Sequence, residues 1–76
     1  MVLEWRVGYR MDDGIYNGIW NFKSLMGFKK GKKYTFKLDK KENECYNITE
    51  LSNDLFIQCA SESSIERYFK NIHKED

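Results

Sequence analysis

The residues whose side chains could act as nucleophiles, general bases or metal ligands are few and widely spaced along this chain. Cys45 and Cys59 are too far apart for a CxxC redox motif, and His73 is the single histidine. Two cysteines and one histidine are too few for a zinc site. Asp12 and Asp13 are adjacent acids, but acids that precede a glycine are typical of a turn. We therefore predict no catalytic residues, no metal, no cofactor and no enzymatic activity.

The cysteines also bear on the compartment. The N-terminal residues show neither the basic start nor the apolar middle of a secretion signal. No apolar run approaches the ~18–20 residues of a membrane span. The sequence therefore predicts a cytoplasmic protein that does not enter a membrane. Because cytoplasmic thiols are normally reduced, we expect both cysteines to be free thiols.

Positive charge is concentrated in one short segment. Residues 29–41 hold seven of the 13 Lys and Arg residues. Residues 1–41 have ten basic and four acidic side chains, and residues 42–76 have three and eight. The first part is therefore at +6 and the second at −5, although the whole chain is at +1. Such asymmetry is typical of a surface that meets a partner.

This lysine segment has three interpretations. The lysines could be solvating charges, which also keep a sheet edge from pairing with another sheet. They could bind the phosphates of a nucleic acid, or contact an acidic protein. A pI of about 7.7 is low for a nucleic-acid-binding domain. The acidic half would also repel a long phosphate backbone, so we favour a protein partner over nucleic acid.

A second candidate surface is the outer side of a hairpin near the N-terminus, where Arg would provide the polar anchors and one isoleucine an apolar contact. A third is the acidic stretch formed by Glu42, Glu44, Glu50 and Asp54, which could imitate a phosphate backbone. We expect partner binding to involve the first two surfaces. The predicted partner-binding residues are Arg6, Arg10, Asn17, Ile19, Lys29, Lys30, Lys32, Lys33 and Lys37.

Hydrophobic periodicity indicates the elements that position these residues. Residues 3–11 alternate between apolar and polar side chains, which predicts a half-buried strand. Asp13-Gly14 is typical of a two-residue hairpin turn. We therefore predict a hairpin over residues 2–23, with Met11 opposite Tyr16. A helix over residues 15–26 is the alternative, but Gly18 in its middle would cost about 1 kcal/mol.

The rest of the chain continues this pattern. Residues 24–33 are predicted to be a connector in which Leu25, Met26 and Phe28 are buried. Alternation then predicts three further strands, with Leu38 opposite Tyr46. The predicted strands are 34–39, 44–50 and 55–60, joined by turns within the segment 34–60.

The spacing of the apolar residues changes from a period of two to a helical period near the C-terminus. Ser63 and Glu66 form a capping-box pattern, which predicts a helix over residues 64–73. Its apolar stripe has helical spacing and consists of Ile65, Tyr68, Phe69 and Ile72. The predicted fold is a single α+β domain, mainly β, over residues 1–76: a five-stranded antiparallel meander or small SH3-like barrel with one C-terminal helix.

Three segments resemble small SH3-like β-barrel proteins that are common among phage and mobile-element accessory genes. They are Gly31-Lys32-Lys33-Tyr34, Glu44-Cys45-Tyr46-Asn47-Ile48 and Glu66-Arg67-Tyr68-Phe69. The resemblance covers about residues 31–69 and implies a binding role without catalytic residues. The predicted helix at 64–73 departs from it, because many such barrels end in a strand. The element order also resembles small archaeal chromatin proteins and chromodomains, although those chromatin proteins are richer in lysine throughout.

The sequence thus favours a non-enzymatic protein that docks on another macromolecule. By the resemblance, the specific version is a phage-type inhibitor of a host or defence protein. Nucleic-acid binding through the lysine segment is the alternative. A nucleotide or other small ligand bound between two copies is a third hypothesis.

Overall fold

The computed structural model describes residues 11–75, which form one antiparallel sheet of five strands with a single helix. The strand order is β4-β3-β2-β1-β5. Within residues 11–75 the edge strands β4 and β5 are not paired with each other, so the sheet is open and not a closed barrel. The mainly β, α+β fold is confirmed. The elements are β1 (Gly14–Trp20), β2 (Lys33–Lys41), β3 (Cys45–Glu50), β4 (Phe56–Ser61), α1 (Glu62–Tyr68) and β5 (Phe69–Lys74).

Alternation along the strands creates two faces of the sheet. One set of alternate residues is buried and faces α1 and the connector, and we call this side the inner face. Phe28 from the connector and Ile65 from α1 are fully buried in the same cluster. Removing these apolar side chains from water is the main driving force for the fold. The inner face includes Tyr16, Trp20, Tyr34, Phe36, Leu38, Tyr46, Ile48 and Phe69.

β1 occupies the middle of the sheet, and its partners differ from those predicted. It pairs with β2 on one edge, where Tyr16 faces Phe36, and with β5 on the other, where Trp20 faces Phe69. Because β1 has β2 on one edge and β5 on the other, Tyr16 pairs with Phe36 and Lys74, and the predicted hairpin pairing of Met11 with Tyr16 is wrong. The first predicted strand lies outside the described residues, apart from Met11. The alternative of a helix over residues 15–26 is also wrong.

The predicted register between β2 and β3 is wrong by two residues. The connecting turn occupies residues 42–44, where Asn43 and Glu44 have φ values of 64° and 57°. Leu38 therefore faces Ile48 and not Tyr46. Because a shift of two keeps every side chain on its predicted face, the core assignment survives the error.

The C-terminal helix is shorter than predicted and begins earlier. Ser61 is its N-cap, and its Oγ accepts a hydrogen bond from the Ser64 amide at 3.2 Å. The helix ends at Tyr68, and the chain continues as strand β5. The predicted helix over 64–73 is therefore wrong in its second half. A longer helix would leave one edge of β1 without backbone partners, whereas β5 supplies them.

A β-bulge explains why β5 has the spacing of a helix. Asn71 has a φ of 56°, and the register between β5 and β1 shifts at this point. The extra residue places Phe69 and Ile72, three positions apart, against the same core. β4 has the same device, because Cys59 has a φ of 58° and lies between the buried Ile57 and Ala60.

Trp20 lies at the centre of the aromatic core. Its ring stacks on Phe28 at 4.5 Å and on Tyr68 at 5.0 Å, and it meets Phe69 edge-on at 5.1 Å. Its indole Nε1 donates to the carbonyl of Lys23 at 2.9 Å, so the buried polar atom is satisfied. In the connector, Phe28 is buried and Leu25 half-buried as predicted, whereas Met26 is 61% exposed, so its predicted burial is wrong.

Gly18 allows the rings of Phe36 and Phe69 to lie close to the backbone of β1. It lies on the inner face, where a Cβ would come within 3.2 Å of Phe69 Cβ and 3.4 Å of Phe36 Cε1. The rings of Phe36 and Phe69 stack at 4.1 Å beside it. A side chain at this position would therefore push the two rings apart.

The two cysteines form a disulfide that joins β3 to β4, with Cα atoms 4.9 Å apart. The prediction of two free thiols is wrong for this structure. The bond closes a loop with a sequence separation of 14 residues. In the chain-entropy model a loop of that size stabilises a fold by about 3 kcal/mol. This is comparable to the ~3–5 kcal/mol that a core of this size supplies.

Replacing Trp20 with alanine should unfold the domain. The substitution removes a ring that contacts four other aromatic rings and should cost about 3–5 kcal/mol. Urea unfolding followed by circular dichroism measures the loss. Met26→Ala is the control, because Met26 is exposed and its loss should change stability by less than about 0.5 kcal/mol. A Trp20→Ala protein that unfolds cooperatively within about 1 kcal/mol of the wild type would contradict this role for Trp20.

Candidate functional site

The side of the sheet opposite the core brings together residues from three strands, and we call it the outer face. In the register, Ile19 lies between Lys33 of β2 and Lys70 of β5. One row further, Asn17 lies between Thr35 and His73. The outer face around β1 consists of Ile15, Asn17, Ile19, Lys33, Thr35, Lys37, Lys70 and His73.

Ile19 is the apolar centre of this face. It is half-buried, whereas the two lysines beside it are exposed. Neighbouring strands lie about 4.8 Å apart, so the Cα atoms of Lys33 and Lys70 are about 10 Å from each other. Ile19 and its two flanking lysines therefore have the arrangement of a small protein interface, in which an apolar centre is surrounded by a polar rim.

A fixed polar group lies next to Ile19. The Thr35 hydroxyl donates to Asn17 Oδ1 at 2.7 Å, and Asn17 Nδ2 donates to Glu75 Oε2 at 2.7 Å. Both ends of the Asn17 amide are therefore engaged, and its orientation is set. Asn17 thus presents a fixed polar surface beside the apolar centre, while the opposite residue, His73, is exposed.

The turn that precedes β2 holds three more lysines beside this face. The Lys32 amide donates to the Lys29 carbonyl at 3.2 Å, and Gly31, at φ 88°, donates its amide to the Trp20 carbonyl at 2.8 Å. The Lys29 amide donates to the Tyr34 hydroxyl at 2.8 Å. The backbone of this lysine turn (residues 29–32) is therefore tied to β1 and to the core, while its lysine side chains are exposed.

The lysine segment does not form one patch. Lys33 and Lys41 are at opposite ends of β2, about 27 Å apart at the usual rise of a strand. Lys40 lies near Asp12, with Nζ to Oδ1 at 3.9 Å, and so belongs to the far end of the molecule. The positive charge of the outer face therefore comes from Lys33, Lys37 and Lys70. In the lysine turn, Lys32 Nζ lies 5.6 Å from the ring centroid of Tyr34, which belongs to the inner face.

Acidic side chains of α1 lie on the other side of the sheet. Glu62 and Glu66 belong to α1, whose Ile65 is packed into the inner face. The charge asymmetry that runs along the sequence thus becomes, in part, an asymmetry between two faces. Asp39 and Glu75 are exceptions on the outer face. The Asp39 carboxylate lies 3.8 Å from Lys37 Nζ, and the Glu75 carboxylate accepts the hydrogen bond from Asn17.

The predicted acidic surface is not formed as a unit. Glu50 is 1% exposed, and its carboxylate accepts hydrogen bonds from the amides of Ser52 and Asn53 at 3.1 and 2.6 Å. It therefore stabilises the turn between β3 and β4 and is not available to a partner. The prediction of a continuous acidic stretch is wrong on this point.

The structure brings together most of the predicted partner-binding residues. Arg6 and Arg10 lie outside the described residues. Asn17, Ile19, Lys33 and Lys37 share the outer face, and Lys29, Lys30 and Lys32 are in the adjacent turn. The lysine turn adjoins the outer face at Lys33, but it also contacts the inner-face residue Tyr34, so the two surfaces that were predicted separately are neighbours.

Sequence reasoning missed the contribution of β5 to this surface. Lys70 and His73 fall within the predicted helix, and no local pattern places them beside β1. Their position depends on pairing between Phe69 and Trp20 in distant parts of the chain. A weak signal is the Phe and Ile content of residues 69–74, since these residues favour strands.

A second polar cluster ties the start of the described chain to α1. The Tyr46 hydroxyl lies 2.7 Å from Glu62 Oε2 and 2.9 Å from the Met11 carbonyl, and the Met11 amide donates to the same carboxylate at 2.9 Å. Burial, together with the hydrogen bond to Glu62, raises the pKa of Tyr46 above its usual value of 10.0. Tyr46 therefore acts as a hydrogen-bond donor at neutral pH and not as a base.

Three negative findings concern residues 11–75 only. The described residues enclose no pocket. No three of their His, Cys, Asp or Glu side chains are grouped so as to hold a metal ion. The helix in this part of the chain is neither long nor apolar enough to cross a bilayer.

Comparison with known proteins adds no relative. No family model matches the chain, no curated protein matches its sequence and no solved structure matches its fold.

Tyr46 should make the stability of the protein sensitive to alkaline pH. Its pKa is raised on folding, so the folded state keeps a proton that the unfolded state loses above about pH 10. Stability from this group is therefore full below pH 10 and falls as the pH rises further. Tyr46→Phe should be less stable than the wild type at pH 8 by about 1 kcal/mol, and this difference should shrink by pH 11. Urea unfolding at both pH values measures it. If the stability difference between wild type and Tyr46→Phe is the same at pH 8 and pH 11, the raised pKa of Tyr46 is contradicted.

Proposed function

We propose that the protein is a non-enzymatic binding protein that docks on another protein through its outer face. The observation that supports this most directly is the placement of Ile19 between Lys33 and Lys70, beside the fixed amide of Asn17. The partner would place an apolar side chain against Ile19 and acidic side chains opposite the lysines.

The geometry suits a protein partner for two reasons. Protein interfaces combine an apolar centre with a polar rim, and Ile19 with its flanking lysines has this arrangement. Complementary charge also speeds the encounter and aligns the two surfaces, and the lysine turn extends the positive area at one end. Docking on a sheet face needs no change in the backbone, because the strands already present these side chains.

A charge reversal on the outer face tests the proposal. Lys33→Glu would place a negative charge beside Ile19, so we expect at least a ten-fold loss of partner binding, or about 1.4 kcal/mol. The tagged wild type should capture one protein in a constant ratio from a lysate of the cells that carry its gene. The amount captured by each variant is then compared on the same lysate.

Lys41→Glu is the matched control. It makes the same charge change on the same strand, about 27 Å away. Binding should survive in this variant. Equal loss in both variants would point to net charge and not to the outer face, and unchanged binding in Lys33→Glu would contradict the proposal.

Nucleic-acid binding is the second candidate, and the observation that favours it is the position of Glu62 and Glu66 on the inner side, where they would not face a phosphate chain. Against it, the aromatic rings near the lysines, such as Tyr34 and Phe36, are buried and unavailable for base stacking.

Salt dependence decides this second candidate. If the lysine turn binds phosphates, affinity for short single-stranded or double-stranded DNA and RNA should fall steeply between 50 and 200 mM salt, by roughly 10³-fold or more for six contacts. Replacing Lys29, Lys30, Lys32 and Lys33 with alanine should abolish this binding. Binding that is absent at physiological salt, or unchanged in the quadruple variant, would reject the candidate.

The narrower hypothesis, a phage-type inhibitor of a host or defence protein, rests on the resemblance to small SH3-like barrels. The terminal strand β5 is a feature that such barrels share. A cytoplasmic location and a nucleotide site between two copies also stay predictions.

A further inference from the structure

The disulfide joins two cysteines of very different accessibility. Cys59 is exposed on the edge strand β4, whereas Cys45 is 5% exposed on β3. Exchange with an external thiol requires that a thiolate reach one of the two sulfur atoms. Access therefore selects the sulfur of Cys59 as the point of attack and makes Cys45 the leaving group.

The backbone at Cys59 is separate from the strand ladder. The residue lies at the β4 bulge with a φ of 58°, in the left-handed region that cysteine rarely adopts. Its amide donates to the side chain of Asn47, at 3.0 Å from Oδ1, and not to a strand carbonyl. Movement of the Cys59 sulfur therefore need not break a backbone hydrogen bond between β3 and β4.

The surroundings of Cys45 suit its reduced form as well. Its Sγ lies 3.2 Å from the carbonyl oxygen of Glu42. In the disulfide this sulfur has no proton to donate, but a Cys45 thiol could donate to that carbonyl. The buried Cys45 thiol of the reduced protein would therefore have a hydrogen-bond acceptor within reach.

We propose that the Cys45–Cys59 disulfide is a reversible redox site, entered by thiol–disulfide exchange at Cys59. A thiolate of a dithiol reductant bonds to the Cys59 sulfur as the Cys45–Cys59 bond breaks, and the Cys45 thiolate takes a proton from water. The second thiolate of the reductant then attacks its own sulfur in the mixed disulfide and releases Cys59 as a thiolate. Two electrons pass from the dithiol to the protein, and the reductant becomes a disulfide.

The proposal is independent of the docking function and reconciles two earlier results. The sequence predicts a cytoplasmic protein, and the structure contains a disulfide. Cytoplasmic disulfides are usually transient, catalytic or redox-sensing, which fits an exchangeable bond. Reduction would leave β4 held to β3 by backbone pairing and by its buried Ile57 and Ala60.

Two single variants test the direction of attack. Cys45→Ser leaves the exposed thiol of Cys59, and Cys59→Ser leaves the buried thiol of Cys45. With oxidised glutathione, Cys45→Ser should form a mixed disulfide at least about ten-fold faster than Cys59→Ser, as followed by mass spectrometry. In denaturant the two rates should become similar, because the difference comes from burial. Equal rates in the native proteins, or a faster Cys59→Ser, would overturn the proposal.

The wild type provides a test that does not depend on a variant folding. The oxidised protein is treated briefly with reduced glutathione, quenched with acid and alkylated, and then cleaved after Glu50 to separate the two cysteines. Glutathione should be attached to the peptide that contains Cys59. Glutathione on the Cys45 peptide, or two free thiols in protein equilibrated with oxidised glutathione, would overturn it.

Discussion

The ring of Trp20 is the contact on which the rest of the structure depends. It touches Phe28 of the connector, Tyr68 at the end of α1 and Phe69 at the start of β5. These three segments cover the inner face, so one indole holds the elements that close the core. The same packing sets the register of β1 against β5, and this register places Lys70 beside Ile19 on the outer face. The candidate site therefore depends on a buried ring on the opposite side of the sheet.

Local alternation was sufficient to predict much of the sheet. Residues 34–60 alternate because they lie between water and a core, and the three strands found there agree with that pattern. The register between β2 and β3 could not be read in the same way, because it depends on which three residues form the turn. An error of two residues leaves the faces unchanged, so the buried set was nevertheless right for Phe36 and Leu38.

The features that the sequence did not predict depend on pairing between distant parts of the chain. A capping serine and a stripe ending at Ile72 are equally compatible with a long helix and with a short helix followed by a bulged strand. The choice is made by the free edge of β1, which lies far away in the sequence. The same holds for the candidate site: the lysine turn is visible locally, whereas Lys70 and His73 join it only through β5. The cysteine pair was missed because the predicted compartment favours reduced thiols, whereas the pairing of β3 with β4 brings Cys45 and Cys59 into contact.

The pairing of β1 with β5 also has a kinetic consequence. Trp20 and Phe69 are about 50 residues apart, so their contact closes a long loop and orders the whole chain between them. Contacts of this kind slow folding, and proteins dominated by them fold in milliseconds to seconds. We expect the β2–β3 hairpin to form early and β5 to add late. Until β5 adds, the long edge of β1 and one side of the indole are open to other chains, and this partly folded species is the one most prone to aggregate.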